Sequence, residues 1–275
     1  MRLVTRFAPS PSGLAHRGHA FSALTAFEAA CAAGGRFLLR IEDIDTARCR
    51  PEFDVALRED LAWLGLEWEE PVRRQSDHLA DYATALNRLR RSNLLYRCFR
   101  TRKEVIDDIA RAPHGPAPAL APGPHPPSEE ARLLRENRPY AWRLSLLTAE
   151  RLLGGFGGLR FEEERQGLIG IEPRLGGDVI LARKDLGVSY HLAVVVDDAA
   201  QGVTHVIRGR DLLEATHTQR LLQALLGLPT PLYRHHPLLL RPDGRRFAKR
   251  DTTETLRDLR GQGVSPSDLR KNLGF

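Results

Sequence analysis

His16-Arg17-Gly18-His19 places two imidazoles three residues apart with a glycine between them. The stretch follows Arg6-Phe7-Ala8-Pro9-Ser10-Pro11-Ser12-Gly13 and opens an apolar run containing Phe21, Leu24 and Phe27. Such a run reads as the start of a helix. A helix N-terminus presents unpaired N–H groups and the positive end of the dipole, which suits a phosphate. Gly18 removes a side chain, so a nucleotide could lie against the backbone. His16 and His19 could donate to charge that builds on phosphate oxygens in a transition state. The plainer alternative is a capped helix with two surface histidines, because short motifs match by chance.

Other stretches carry chemistry of their own. Arg40-Ile41-Glu42-Asp43-Ile44-Asp45 sets three carboxylates behind an apolar run. Glu42 there could hold an ammonium or a cation, the acids could do general acid–base work, or the aspartates could simply cap a helix. Tyr190 precedes Val194-Val195-Val196-Asp197-Asp198 and reads as a strand residue with its hydroxyl at the mouth of a sheet, or as a core aromatic with a wet tip. Arg208-Gly209-Arg210-Asp211 puts guanidinium forks before a helix, suited to a carboxylate or phosphate. An Arg210–Asp211 surface pair is the alternative. Asp243-Gly244-Arg245-Arg246-Phe247-Ala248-Lys249-Arg250 is a turn and a cationic loop. It could close over a triphosphate or be a solvated charge run.

The elements that must position these groups follow from periodicity. Arg2 to Phe7 reads as a strand, Ala20 to Ala33 as a helix stopped by Gly34-Gly35, and Arg36 to Ile41 as a second strand. That β-α-β order predicts a parallel sheet with a right-handed crossover and a ligand at the carboxyl ends of its strands. Helices are expected at Pro51–Leu64, Leu79–Arg91, Arg102–Arg111 and Asp211–Leu226, with helical turns in Leu256–Phe275. Strands are expected at Tyr96–Phe99, Gly158–Phe161, Gly167–Ile171, Asp178–Leu181 and Val188–Val196. Residues 112–127 are rich in Ala, Pro, His and Gly and read as an extended loop.

The chain has 275 residues, 42% of them hydrophobic, which allows one large domain or two smaller ones. Its net charge of +6 and pI near 9.6 suit an anionic partner. Cys31, Cys49 and Cys98 are an odd, scattered set that fits a reducing compartment. With no signal pattern and no apolar run near bilayer length, a cytoplasmic protein without membrane contact is expected.

The order of the motifs is more specific than any one of them. Arg-Phe-Ala-Pro-Ser-Pro, His-x-Gly-His, Arg-Ile-Glu-Asp-Ile-Asp, Tyr-x-Leu-Ala-x-Val-Val-Asp-Asp and Val-Ile-Arg-Gly-x-Asp-Leu-Leu, followed by a basic loop, resemble the class I glutamyl-tRNA synthetase family over nearly the whole chain. His16–His19 matches its HIGH signature, and Arg246–Arg250 lies at the place of its KMSKS loop. The resemblance implies an α/β fold: a Rossmann-like parallel sheet split by an α+β insert. It places the first catalytic half at residues 1–95, the insert at 96–186, the second half at 187–250 and a short tail at 251–275. Full-length members continue into anticodon-binding domains, whereas only Asp251–Phe275 follow the loop here. The chain therefore resembles the truncated branch of the family. That branch activates L-glutamate with ATP, without needing tRNA, and places it on the queuosine base in the anticodon of tRNA(Asp).

The resemblance further implies a glutamate pocket of Arg6, Ala8, Ser10, Glu42, Tyr190 and Arg208. Arg6 would take the side-chain carboxylate, so Arg6→Ala is expected to remove activation. ATP would meet His16, Gly18, His19, Arg246 and Lys249, with Mg2+ on the triphosphate and His16, His19 and Lys249 acting on the phosphates. Arg88, Arg90, Arg91, Arg257, Arg260, Arg270 and Lys271 are candidates for salt-sensitive phosphate contacts with tRNA. A monomer is expected. Arg246 replaces the first lysine of the loop and Ala248 its serine, so slow catalysis or a non-catalytic RNA-binding role is an alternative. A minimal synthetase charging a tRNA 3′ end is a separate one, against which the missing anticodon domain argues. Relatives hold zinc through a Cys-x-Cys pair with a Tyr and a further Cys. Here Arg100 occupies the second position and no cysteine follows Cys98. Cys98, His114 and His125 have no recognised ligand spacing, so no metal site is expected.

Overall fold

The computed structural model describes residues 2–101, 104, 122–183, 187–239 and 254–275. Strand β1 (Val4–Phe7) leads through a loop into helix α1 (Arg17–Ala32), which returns the chain to β2 (Arg36–Ile41). The two strands pair in parallel, Arg6 opposite Leu38, as the β-α-β pattern predicts. The helix begins at Arg17 rather than Ala20, because its first turn is polar and escapes an apolar criterion. Its end depends on Gly34-Gly35. Gly34 has φ +56°, and a Cβ on Gly35 would lie 2.5 Å from the Leu3 carbonyl oxygen.

Helix α2 (Pro51–Trp63) starts with proline, whose missing N–H costs nothing in the first turn. Strand β3 (Glu69–Arg74) then pairs in parallel with β2. Its sequence, Glu-Glu-Pro-Val-Arg-Arg, has no apolar alternation because it is an edge strand, and periodicity misses it. Helix α3 (Leu79–Arg91) follows, with the bounds its pattern predicts.

Next come β4 (Leu95–Cys98), α4 (Pro127–Arg135), β5 (Ala141–Leu144), α5 (Leu146–Leu153), β6 (Arg160–Glu163), β7 (Gly167–Gly170), β8 (Ile180–Arg183) and β9 (Gly187–Val188). Strands β4, β5, β8 and β9 form an antiparallel sheet in that order. The helix expected at Arg102–Arg111 and most of the Pro-rich stretch lie outside the described residues.

The last part of the chain contains α6 (Tyr190–Ala200), β10 (His205–Gly209), α7 (Leu213–Leu226), β11 (Leu232–His236), α8 (Leu256–Gly261) and α9 (Pro266–Leu273). Strand β11 lies parallel between β10 and β6, and the β6–β7 hairpin closes that edge. Thr204, just before β10, donates its N–H to the Val4 carbonyl at 2.9 Å and accepts the Val4 N–H on Oγ1 at 2.8 Å. The two parallel sets therefore abut at β1 and β10. The chain leaves β1 toward β2 on one side and meets β10 on the other. Such a switch point opens a crevice at the carboxyl ends of the strands.

One expectation is overturned here. Of Val188–Val196 only Val188, the end of β9, is strand: Tyr190 opens helix α6 after Ser189 in the N-cap position. The valine run looked β because β-branched residues favour sheets. Packing decides otherwise. Leu192, Val194 and Val195 are buried against Leu89 of α3 and Leu221 and Leu222 of α7. A helix enclosed on several sides shows a continuous apolar run without helical period. Asp211 also falls in a short 3-10 turn, Arg210–Leu212, before α7 begins. A second core lies on the opposite face of the sheet, where α1, α2, α8 and α9 bury Leu24, Leu61, Leu256 and Leu269 against Leu39 and Ile41. Among the described residues no helix is long and apolar enough to cross a membrane.

Candidate functional site

The His-x-Gly-His stretch builds its own helix start. His16 is the N-cap of α1, with extended φ −128° and ψ 175°. Its Nδ1 accepts the Gly18 N–H at 3.1 Å, and His19 Nδ1 accepts the His16 N–H at 3.2 Å. This is a reciprocal capping box made from imidazoles. With Nδ1 accepting, each neutral ring carries its proton on Nε2 and is a donor there. The rings lie 3.9 Å apart between centroids. The capping alternative and the phosphate alternative are therefore compatible: one nitrogen of each ring caps, the other is a donor.

Strand alternation sets the floor of the crevice. Val4, Leu38 and Val206 point into the core that holds α6. Side chains two residues further on share that face, so Arg6, Arg40 and Arg208 arrive there from three strands. All three are buried.

Their partners differ. Arg6 donates from Nε to Asp198 Oδ1 at 3.0 Å and from Nη2 to Oδ2 at 3.4 Å. Arg40 donates from Nη1 to Asp198 Oδ1 at 2.7 Å and Gln201 Oε1 at 3.0 Å, and from Nη2 to Glu42 Oε1 at 3.1 Å. Asp197 is taken by Arg73, Gln75 and Tyr82, with Arg40 Nε 3.7 Å away. Burial pushes the Asp198 carboxyl up, but Arg6 and Arg40 outweigh it and hold it below the usual range. Burial dominates at Glu42 and raises its carboxyl despite Arg40 and Arg6.

Arg208 meets only neutral groups among the described residues. Its Nη2 donates to Thr216 Oγ1 at 2.7 Å and Gln219 Oε1 at 2.8 Å. Its Nη1 donates to the Tyr190 hydroxyl at 3.3 Å, and its Nε to His235 Nε2 at 3.4 Å. Burial, then the Arg208 charge, pushes the His235 imidazole down to about 4, and the same two causes push His191 down to about 4. Both rings are therefore neutral near pH 7. Gly209 lets the chain turn tightly behind Arg208: a Cβ there would lie 2.5 Å from Asp211 Oδ1.

These groups surround a cavity of about 350 Å3. Arg6, Ala8, Ser10, Glu42, Tyr190 and Arg208 all line it, so the fold brings together all six residues of the expected amino-acid pocket. A neighbouring cavity of about 300 Å3 shares Ser10, Glu42 and Tyr190 as a wall and continues past Asp45, Arg48 and Gln75. A buried guanidinium without a carboxylate, facing a buried carboxylate, can hold a small zwitterion that carries one further acid. Tyr190 reaches this wall from a helix N-terminus, not from the strand its sequence suggested.

Sequence reading did not single out Arg40, Asp198 or Gln75. The signal available was the repeated pattern of an aliphatic, any residue, then arginine in Val4-Thr5-Arg6, Leu38-Leu39-Arg40 and Val206-Ile207-Arg208. Arg246, Ala248 and Lys249 lie outside the described residues. Their flank is placed: Leu256 N–H donates to the Ala15 carbonyl at 2.8 Å, and Arg17 pairs with Glu254 at 3.0 Å, beside the histidines. Three of the basic candidates for tRNA contact also hold contacts within the fold. Arg88 donates to the Leu226 carbonyl, Arg260 pairs with buried Asp60, and Arg270 bonds Glu28 and the Leu64 carbonyl. Cys98 is buried and donates its Sγ to the Arg100 carbonyl at 3.9 Å. His114 lies outside the described residues. Among the described residues no group of three or more His, Cys, Asp or Glu is arranged to hold a metal.

Comparison with known proteins agrees with this geometry. Residues 2–274 match the family of class I tRNA synthetases (E and Q), catalytic domain. A protein of Rhodobacter capsulatus named glutamyl-Q tRNA(Asp) synthetase is 47% identical over 99% of this chain and 100% of its own length. A glutamate–tRNA ligase of Dinoroseobacter shibae is 40% identical over 97% of this chain but 59% of its own. The crystal structure of a glutamate tRNA ligase from Elizabethkingia meningosepticum, in complex with its amino acid, superposes with a TM-score of 0.72 at 27% identity. The match covers 91% of this chain, which spans about half (52%) of that structure. With the signature histidines at the start of α1 and the crevice at the switch point of a parallel sheet, the chain belongs to the class I tRNA synthetases of the glutamate and glutamine type, matched over their catalytic domain.

Proposed function

We propose that the protein activates L-glutamate with ATP and transfers it to the queuosine base in the anticodon of tRNA(Asp). The observation that carries the amino-acid half is the cavity lined both by Arg208, whose partners among the described residues are neutral, and by the Glu42 carboxylate. The acceptor half rests on the Rhodobacter relative, which this chain matches over that protein's whole length.

In this reading the substrate's side-chain carboxylate sits between Arg208 and Arg6, and its ammonium between Glu42 and the Tyr190 hydroxyl. Ala8 and Ser10 form the floor. An oxygen of the α-carboxylate attacks the α-phosphorus of ATP in line, pyrophosphate leaves and glutamyl-adenylate forms. The chain contributes positioning and charge stabilisation rather than a covalent intermediate. His16 and His19 donate from Nε2 to phosphate oxygens, Gly18 admits the nucleotide, and Lys249 with Arg246 answers the triphosphate, which brings its own magnesium. A hydroxyl of the queuosine cyclopentene ring then attacks the acyl carbon, and AMP leaves.

The test is transfer of labelled glutamate to tRNA(Asp) with and without queuosine, with 3′ ends oxidised by periodate and the product mapped by RNase. Label confined to the anticodon fragment, and only with queuosine present, is expected. Label lost on 3′ oxidation would instead mean 3′-end charging, which the 40% identity to the glutamate–tRNA ligase keeps in view. No label and no ATP–pyrophosphate exchange would leave a non-catalytic RNA-binding role.

A further inference from the structure

The charged groups beneath the amino-acid pocket form a chain with a defined order. Arg6 and Glu42 both line the cavity. Neither touches the other through a direct bond. They are joined instead through Asp198 and Arg40: Arg6 to Asp198, Asp198 to Arg40, Arg40 to Glu42. Arg40 is fully buried and lines neither cavity. Asp198 comes from the last turns of α6, where the helix dipole disfavours a carboxylate. A buried acid there is costly without guanidinium partners, and two strands supply one each.

We infer that the Arg40–Asp198 pair is a spacer that fixes the separation between Arg6 and Glu42, and so sets the length of amino acid the pocket accepts. The inference rests on the glutamate reading of that cavity. Arg40 and Asp198 are positioning residues, since neither would touch the substrate. The planar guanidinium of Arg40 is what lets one residue span Asp198 and Glu42 at fixed angles. A lysine ammonium in the same place is a point charge without that fork. Losing the fork frees Glu42 to move relative to Arg6. Gln201 also accepts from Arg40, at 3.0 Å, but on the side of Asp198 and not of Glu42. It is an internal control.

The experiment is tRNA-independent ATP–pyrophosphate exchange by the full chain. For the unmodified protein, aspartate and 2-aminoadipate, one methylene shorter and longer, are expected to be poorer substrates than glutamate by roughly 10- to 200-fold, the range for a one-methylene mismatch. Arg40→Lys is expected to raise the KM for glutamate about tenfold, to change the KM for ATP less than twofold, and to narrow the preference for glutamate over aspartate. Asp198→Asn keeps the shape and an acceptor but removes the charge, and is expected to show the same split. Gln201→Ala is expected to change neither KM more than twofold. Equal use of aspartate by the unmodified protein overturns the inference, whether or not the variants fold. So does a folded Arg40→Lys protein with an unchanged KM for glutamate, or a Gln201→Ala protein with the same defect. If the unmodified protein shows no glutamate-dependent exchange at all, the glutamate reading itself fails, which is a different result.

Discussion

Arg6 and Arg208 stand on the neighbouring strands β1 and β10, each parallel to its own partner strand, both buried and in opposite electrostatic settings. Arg6 is answered by Asp198 at 3.0 Å and belongs to a network shared with Arg40 and Glu42. Arg208 is held as firmly, but by a threonine, a glutamine, a tyrosine and a neutral histidine. In the first arrangement each buried charge answers another, which offsets the cost of burying it and makes the loss of either partner costly. The second leaves an uncompensated charge in a low-dielectric site, where an arriving carboxylate is worth most. The motifs that carry the two arginines do not distinguish them. Their partners can.

The largest expected effect comes from matched substitutions of the two. Arg208→Met is expected to cut glutamate-dependent exchange about 10³-fold, since losing one partner of a buried, charge-assisted contact costs about 2–5 kcal/mol. Its stability cost should be about 1–2 kcal/mol, because the groups left behind are neutral. Arg6→Met should show the reverse balance: a smaller loss of exchange, about 10- to 50-fold, and a larger loss of stability, about 3–5 kcal/mol, because Asp198 keeps only Arg40. Urea unfolding read beside exchange kinetics checks both. Equal effects on activity and stability at the two positions would remove the distinction.

His16 combines a capping role with a proposed catalytic one. Its Nδ1 caps α1, and its Nε2 is the donor assigned to phosphate. Asparagine caps helices well but cannot place a donor at the Nε2 position. His16→Asn is therefore expected to keep the unfolding midpoint while exchange falls about 10²-fold, near the loss for one charge-stabilising donor. His16→Ala should lose about 1 kcal/mol of stability in addition. If asparagine restores exchange to the original rate, His16 acts only as a cap.

Much of the frame around this site was legible beforehand, and the reason is local. The β1–α1–β2 unit announces itself through a strand, an apolar helix and Gly34-Gly35, all within short reach. The six residues lining the cavity are those that the family resemblance implies, and the fold gathers them. The partners of the arginines were not legible, because Asp198 lies 192 residues from Arg6. The run that carries Asp198 was also misread. A strand would place Asp197 and Asp198 on opposite faces. In α6 both reach the arginine network, Asp197 toward Arg73 and Asp198 toward Arg6 and Arg40. Strand β3 stayed hidden for a different reason: an exposed edge strand needs no apolar alternation, and its pairing with β2 comes from the backbone.

The smallest effect expected separates the two settings by pH. His235 and His191 are pushed from an ordinary value near 6.5 to about 4 by burial and then by Arg208. Between those values the unfolded chain binds protons that the folded chain refuses, so stability is complete above pH 6.5 and falls as pH drops toward 4. Asp198, held low by Arg6 and Arg40, stays ionised through that window and contributes no slope there. Acid should therefore weaken the Arg208 side first. His235→Gln keeps a side-chain acceptor near Arg208 and removes one titrating group. It is expected to flatten the fall in stability by up to about 1.4 kcal/mol per pH unit, the linkage of one proton. Urea unfolding from pH 7 to 5 measures the slope. An unchanged slope in His235→Gln would mean that His235 is already free to take its proton in the folded protein, and that the cradle around Arg208 is not kept neutral by burial.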